Sequence, residues 1–444
     1  MSSKSGSSSW QEGKDAKLVV LLTGASGFIG RHLANALAAA GHQVVGAVRN
    51  PLPAADPRFR YVSAEFTRDF DPADWAARLA GVDVVINAAG IIREHGAQTF
   101  DAIHNRAPRA LFSACAAAGV QLVVQVSALG ADEHAQSHYH RSKKEADDFL
   151  AGLPLRSVIV QPSLVYGADG TSARMFTTWA SLPFIALPGR GEQMIQPVHI
   201  DDLTVAVIAL LALLDHAVER GTKVPVVGPH PMSLKTFLSI LRNSMGLGHA
   251  YFLPVPMPLV RIAAKAGTIF PGSLLDTETL QMLERGNSAS ALQTSRLLGR
   301  EPRRAENFIM KPDISAMRLQ AKLNWLLPML RVSIALVWIV TGIVSLGLYP
   351  LEGSYALLAR VGIAGMLAPV MLYGAALLDL AFGIAILVLT RRRWLWLAQL
   401  AVILFYTAVI TWKLPEFWLH PYGPLLKNLP MLAAIWLLLE LEER

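Results

Sequence analysis

The stretch Leu18 to Gly30, LVVLLTGASGFIG, constrains the fold of this chain more than any other. An apolar run, Leu18 to Leu22, breaks at Thr23 into three glycines, Gly24, Gly27 and Gly30. An Ala-rich, helix-forming segment follows from Arg31 to Ala40. Strand, glycine turn and helix in that order gather backbone N–H groups and a helix N-terminus at one point, which suits an anionic pyrophosphate. Ser26, Phe28 and Ile29, interleaved with the glycines, complete the expected cradle.

The residues downstream extend the pattern. Gln43 to Asn50 reads as a second parallel strand with Arg49 near its end, where an Asp or Glu would take the ribose 2′-hydroxyl of NAD. A guanidinium there suits a 2′-phosphate, so NADP(H) is favoured over NAD(H); the bland alternative is a surface arginine. Arg31 could add positive charge nearby. Phe59 to Phe66 forms a third expected strand, and DPADWAARLAG a helix leading to a fourth, Asp83 to Gly90. The small loop Asn87, Ala88, Ala89 and Gly90 would let a dinucleotide approach the backbone. A helix from about Phe100 to Ala118 then precedes a fifth strand, Leu122 to Ser127. Strands alternating with helices at this spacing predict an α/β, doubly wound parallel sheet of Rossmann type.

Three residues carry potential chemistry. Ser127 ends the fifth strand, and Tyr139 and Lys143 in YHRSK lie one helical turn apart on one face. A lysine ammonium and an oxidised nicotinamide beside a phenol both favour the phenolate. Tyr139 thereby becomes a candidate general acid/base at a carbonyl or alcohol, with Ser127 holding the substrate oxygen. The alternative is an ordinary exposed helix face.

TGASGFIG, NAAG, Ser127, YHRSK and PVHIDD together resemble an extended short-chain dehydrogenase/reductase, of the NAD(P)-dependent epimerase/dehydratase kind. By that resemblance Asn105 in AIHNRAPRAL matches the family's helix asparagine and joins Ser127, Tyr139 and Lys143 as a catalytic candidate. QPSLVYG matches its post-catalytic strand and adds Pro162 to the cofactor contacts, with Tyr139 and Lys143 reaching the nicotinamide end. SALGAD, PSLVYG, YFLPVPMPLV and LLGREPRRAENFI are similar to the atypical branch that contains the NADPH-binding accessory subunit of respiratory complex I. That likeness runs from about Lys17 to Ile309; some members of the branch bind nucleotide tightly without demonstrated turnover. His199 in PVHIDD could contact cofactor or substrate, with a hydrogen-bonded structural histidine at least as good a reading, and Asp201 and Asp202 suit the cap of the core helix opened by Leu203 to Leu214. YFLPVPMPL is equally a greasy channel lining or a rigid loop.

Composition changes near Leu326. Val332 to Tyr349 and Trp394 to Trp412 are uncharged, Val361 to Thr390 holds one charge, Asp379, and Leu425 to Leu439 is interrupted by Lys427 and Pro430. At about twenty residues per span these predict four transmembrane helices. Trp325, Tyr349, Trp394 and Trp412 suit the interfaces. Arg391, Arg392 and Arg393 between the second and third spans, and Arg318, Lys322 and Arg331 before the first, put the nucleotide domain and both chain ends in the cytoplasm. WIVTG, Asp379 and HPYGPLLKNLP resemble the DoxX-like four-helix membrane family. Asp379 at mid-span implies a bundle interior or a polar ligand, and Gly374 and Gly383 imply close helix packing.

The expected domains are a disordered tail at 1–16, the nucleotide-binding domain at 17–310, a linker at 311–325 and the membrane domain at 326–444. Of the 444 residues 53% are hydrophobic and 16% charged, an excess that sits in the C-terminal third. The net charge of +7 comes without an aromatic-laced basic cluster, which argues against nucleic acid. The lone cysteine, Cys115, can form neither an internal disulfide nor a cysteine-rich metal site, and no His/Asp/Glu cluster has metal-ligand spacing.

The leading expectation is a membrane-anchored NADP(H)-dependent oxidoreductase acting on a carbonyl or alcohol of a lipid-soluble substrate such as an isoprenoid, quinone or acyl compound. A nucleotide-binding scaffold or redox sensor, and an epimerase or dehydratase using the same triad, are the alternatives. Redox chemistry in the bundle, involving Asp379, is a third reading.

Overall fold

A computed structural model describes residues 17–51, 56–211, 219–267 and 276–442. The expected tail at 1–16, the end of the Leu203–Leu214 run and the last two residues lie outside the described residues. The chain divides into two compact units, Met1–Ala321 and Lys322–Arg444.

The first unit is built on seven parallel strands: β1 (Val19–Thr23), β2 (Gln43–Val48), β3 (Phe59–Ser63), β4 (Val84–Asn87), β5 (Leu122–Val126), β6 (Ser157–Pro162) and β7 (Thr222–Val226). Their order is β7-β6-β5-β4-β1-β2-β3, so the winding reverses between β1 and β4. That reversal opens a crevice at the carboxyl edge, between the turn after β1 and the loop after β4. Strand residues are apolar on both faces because helices cover both. Val20, Leu22, Ile86, Val124 and Val160 pack with Leu33 and Leu37 of α1 (Phe28–Ala39). Leu21, Val85, Val123 and Ile159, one residue out of phase, pack with Leu111 and Cys115 of α2 (Ala107–Ala118). Cys115 is therefore fully buried, and its thiol is pushed up by desolvation.

The expected helix from Phe100 divides into a π-helical turn, Asp101–Arg106, and α2, whose first turn holds Pro108. Proline is tolerated there but lacks the N–H that would continue a regular ladder from the preceding turn. α3 (His138–Gly152) carries Tyr139 and Lys143, and the Ser137 hydroxyl caps it by accepting the His140 N–H. A separate core of Tyr166, Phe176, Ile185, Phe237 and Phe308 fills the smaller part. There Asp202, fully buried, accepts the Arg303 N–H at 2.6 Å and the Arg300 guanidinium at 2.5 Å, so it ties down LLGREPRR. β7 closes the sheet beyond β6 and was not among the expected strands.

In the second unit, the described residues contain three helices long and apolar enough to cross a membrane, reaching Leu348, Leu367–Val388 and Arg393–Lys413. The expected linker at 311–325 is instead a short turn, Lys311–Asp313, followed by the first residues of helix Ile314–Ile343, because good helix formers fill it. The expected second span starts later than Val361: Gly362 (φ +96°) and Gly365 (φ +66°) adopt left-handed conformations and separate helix Leu351–Arg360 from Leu367–Val388. The fourth expected span, Leu425 to Leu439, is shorter than a bilayer needs: turns at 424–427 delay its start, leaving the 14-residue helix Asn428–Leu441. Its end nevertheless returns to the beginning of the first span. Glu442 pairs with Arg331 and accepts the Trp396 indole N–H at 2.9 Å, which gathers the starts of the first and third spans and the end of the last helix.

Gly383 packs as expected: a Cβ there would lie 2.5 Å from Ile339 and 2.9 Å from the Ala335 carbonyl. Gly342 does the same against Ala376, whereas Gly374 faces open space. Asp379 is buried, 7% exposed, and so is Gln399, whose amide oxygen accepts the Trp338 indole N–H at 2.9 Å.

Candidate functional site

The turn after β1 is shaped by backbone contact. Gly24 takes φ +63°, and a Cβ there would lie 2.7–2.8 Å from the backbone of Ala88 and Ala89, so only glycine lets β1 and the β4 loop meet. A Cβ on Gly30 would lie 2.0 Å from the Gly24 carbonyl, which brings α1 tight against the turn. Gly27 caps α1 in an extended conformation; no side chain caps the helix and its first turn holds no acid. Ser26 and Gly27 are exposed, and Phe28 and Ile29 half-buried. The first N–H groups of α1 and the positive end of its dipole are therefore left without a side-chain cap at the crevice, an arrangement that suits an anion.

Arg49 is exposed at the end of β2, where a 2′-phosphate would be met. Arg31 is less available: it pairs with Asp169 at 2.8 Å, and His32 joins the same carboxylate at 3.1 Å. Pro162 is buried at the end of β6 and its carbonyl accepts the Leu129 N–H at 2.9 Å.

A line of buried side chains crosses the carboxyl edge of the sheet. Thr23 donates to Asn87 Oδ1 at 2.5 Å, and Asn87 Nδ2 donates to Gln125 Oε1 at 2.7 Å. Gln125 also faces Asp147, which accepts the hydroxyl of Ser127. Asn87 thus spends its amide inside the sheet; in the loop that follows, Ala88 is half-buried, Ala89 buried and Gly90 exposed.

Lys143 is buried and its ammonium donates to the Val126 carbonyl at 3.0 Å. A Cβ on Gly90 would lie 3.3 Å from Lys143 Nζ and 3.5 Å from His104 Nε2, so the glycine keeps the β4 loop open beside both. Tyr139 packs edge-on to Phe100, His104 and His140, with ring centroids 5.3–6.0 Å away. Its backbone N–H donates to Glu278 at 3.3 Å, which ties α3 to helix Thr277–Arg285.

Desolvation, with the Asp147 carboxylate adding to it, pushes the Tyr139 phenol up to about 12. Lys143 donates to Val126, and Asp147, one turn further along α3, favours the charge of its ammonium. Burial lowers Lys143 and lifts Asp147 well above the usual carboxylate range.

Asn105 stands apart from this group. Its amide donates to Asp101 at 3.0 Å and Glu145 at 2.8 Å, and none of these bonds reaches Ser127, Tyr139 or Lys143. Its neighbour His104 occupies the inner position: Nε2 accepts the Ile91 N–H at 3.0 Å, Nδ1 meets Ser142 at 3.0 Å, and burial holds the ring neutral. His199 is buried, accepts the Asp201 N–H at 3.2 Å and lies 3.4 Å from Arg303. Sequence reasoning passed over Gln125, His104 and Asp147. Asp147 had a signal, since it follows Lys143 by the same four residues that separate Lys143 from Tyr139. Among the described residues no His/Cys/Asp/Glu group could hold a metal ion.

Comparison with known proteins agrees with this fold. Residues 24–180 match the NAD(P)H-binding family and residues 335–436 the DoxX-like family. The chain is 31% identical over 198 residues to ceramide reductase of Caulobacter vibrioides, covering 44% of this chain and 61% of that protein. It is 28% identical over 261 residues to NADH dehydrogenase (ubiquinone) 1 alpha subcomplex subunit 9 of Arabidopsis thaliana, covering 56% and 62%. The chain thus spans about three-fifths of these curated relatives. In fold it is similar to a nucleoside-diphosphate-sugar epimerase of Staphylococcus aureus (TM-score 0.54, 18% identity, 66% of this chain and 99% of that one). It is also similar to UDP-glucuronic acid 4-epimerase of Bacillus cereus (TM-score 0.51, 19% identity, 69% and 100%). The chain therefore joins an NAD(P)-binding Rossmann domain, similar to complex I subunit 9 and to epimerases, to a C-terminal DoxX-like membrane domain.

Proposed function

We propose that this protein is a membrane-anchored oxidoreductase that uses NADP(H) to interconvert a carbonyl and an alcohol on a lipid-soluble substrate. The observation that supports the reading is Lys143 lying against Gly90 and bonded to the Val126 carbonyl at the carboxyl edge of the sheet, one residue before Ser127 and one helical turn after Tyr139, with the uncapped start of α1 following the turn that packs on the same β4 loop. Gly24, Ser26, Gly27, Phe28, Ile29 and Gly30 hold the pyrophosphate, Arg49 takes the 2′-phosphate, and Ala88 to Gly90 lie along the dinucleotide. The bound nicotinamide supplies or receives the hydride.

Tyr139, kept as a neutral phenol by burial, gives its proton to the substrate oxygen during reduction. Lys143 holds the ribose and stabilises the phenolate left behind. Ser127 holds the substrate oxygen, and Asn105 ties the π-helical turn to α3 through Glu145. Fusion to apolar spans and similarity to a protein named ceramide reductase support a lipid substrate. The Arg391–Arg393 loop, sharing one end of the bundle with Arg331 and Glu442, supports a cytoplasmic position for that end, for the nucleotide domain and for both termini. Steady NADPH oxidation with a keto-lipid, reduced about 10²–10⁴-fold in Tyr139→Phe, is the expected result. Unchanged turnover in that variant refutes the mechanism.

A second reading, a nucleotide-binding scaffold in a membrane assembly, is favoured by the Ser127 hydroxyl being engaged with Asp147 and by the similarity to a complex I subunit. It predicts retained nucleotide with no hydride transfer to any keto-lipid.

A further inference from the structure

We propose that Asp147 is the positioning residue of this site: by holding or releasing a proton it decides whether the Ser127 hydroxyl donates to the substrate oxygen or only accepts from it. The inference rests on the reading of Ser127, Tyr139 and Lys143 given above.

A serine hydroxyl has one hydrogen to donate. In this structure that hydrogen goes to Asp147, whose side chain is fully buried behind Ser127. With Asp147 ionised, Ser127 can accept from an alcohol but has nothing left to offer a carbonyl. With Asp147 protonated, the bond reverses: the carboxylic acid donates to Ser127 Oγ, and the Ser127 hydrogen turns to the carbonyl oxygen beside the phenol of Tyr139. No proton leaves Asp147 in the reaction itself. The proton that completes the alcohol comes from Tyr139, so hydride and proton still balance the reduction.

The surroundings make such a change of state accessible. Lys143 from the same helix, Lys223 from β7, Gln125 from β5 and Ser127 just beyond it all act on Asp147 to favour its charge, against desolvation, which opposes it and dominates. The charge of Asp147 in turn acts on Tyr139, and that of Lys143 on His104. The Asp147 oxygen that Ser127 does not use, Oδ1, has no hydrogen bond to a protein donor of ordinary geometry, so the carboxylate is incompletely satisfied where it sits. The four-residue spacing along α3 places Asp147 in line with Tyr139 and Lys143.

The test is pH-difference infrared spectroscopy of the full chain in lipid nanodiscs, for the wild type, Asp147→Asn and Ser127→Ala, each checked for retained nucleotide binding. A protonated-carboxyl C=O band that titrates across about pH 5 to 8, vanishes in Asp147→Asn and shifts in Ser127→Ala is expected. Absence of the band, its persistence in Asp147→Asn, or its indifference to Ser127→Ala overturns the proposal. If Asp147→Asn does not fold, the shift in Ser127→Ala decides. With a keto-lipid substrate, the wild-type reduction rate falls about tenfold per pH unit on its alkaline side, and this limb disappears in Asp147→Asn; a retained limb overturns the proposal. Absence of all turnover defeats the oxidoreductase reading but leaves the infrared result to decide the proton on Asp147.

Discussion

Gly27→Asp separates the stability of α1 from its use as an anion site. Gly27 caps the helix with φ −76° and ψ 173°, a conformation open to any residue, and nothing else caps it. An aspartate there would accept N–H groups of the first turn and meet the helix dipole, gains of about 0.3–1 kcal/mol. Its Cβ would lie 3.1 Å from the Gly24 carbonyl, a tight contact that offsets part of this. The net change in stability is under about 1 kcal/mol, or roughly 2–4 °C in Tm. Binding responds in the opposite sense. A carboxylate about 4 Å from a phosphate charge costs about 4 kcal/mol at an effective dielectric near 20, about 10³ in Kd. Gly27→Asn has the same shape without the charge, so the Asp–Asn difference isolates electrostatics from bulk. The assay is NADPH titration by calorimetry on the full chain in detergent, with thermal unfolding alongside. Aspartate and asparagine variants binding within about threefold of the wild type, under about 1 kcal/mol, would refute the anion site.

Other perturbations probe the rest of the account. Gly24→Ala forces a left-handed residue and a Cβ into the Ala88–Ala89 backbone, so thermal unfolding should show a loss of about 2–5 kcal/mol. Gly383→Leu drives its side chain into Ile339 and the Ala335 carbonyl, and the fraction of monodisperse protein in detergent chromatography should fall steeply. His140 and His199 are held neutral by burial, with values lowered to about 4 from 6.5. Their folded values lie below the unfolded ones, so their contribution is present above about pH 6.5 and is lost as pH falls towards 4. Melting temperatures should drop through that window, and His199→Gln should flatten the slope.

Much of the fold was legible because it follows from local rules. The alternation of apolar strands and Ala-rich helices fixed the parallel sheet, and the glycine turn fixed where its crevice lies. β7 escaped notice because Thr222–Val226 is short and carries Lys223 and Pro225, which suit an edge strand. The membrane spans were visible in composition, but their ends were set by positive-φ glycines at 362 and 365 and by turns before Asn428. Ser127 and Lys143 were visible as residue types at a known spacing. Their hydrogen bonds were not, since the partner of Ser127 is on another element and Lys143 turns to a backbone carbonyl. The same holds for Asn105, where adjacent residues on a π-helical turn point differently and His104 takes the inner place.

The central claim is that the crevice performs hydride transfer to a lipid carbonyl. The direct measurement is transfer of deuterium from NADPH labelled at the nicotinamide C4 into a keto-lipid, followed by mass spectrometry of the extracted lipid after incubation with the full chain in nanodiscs. One deuterium on the new carbinol carbon is expected with the wild type, and loss of that product in Tyr139→Phe with NADPH binding retained. Bound NADPH with no deuterated lipid from any keto-lipid offered would contradict it.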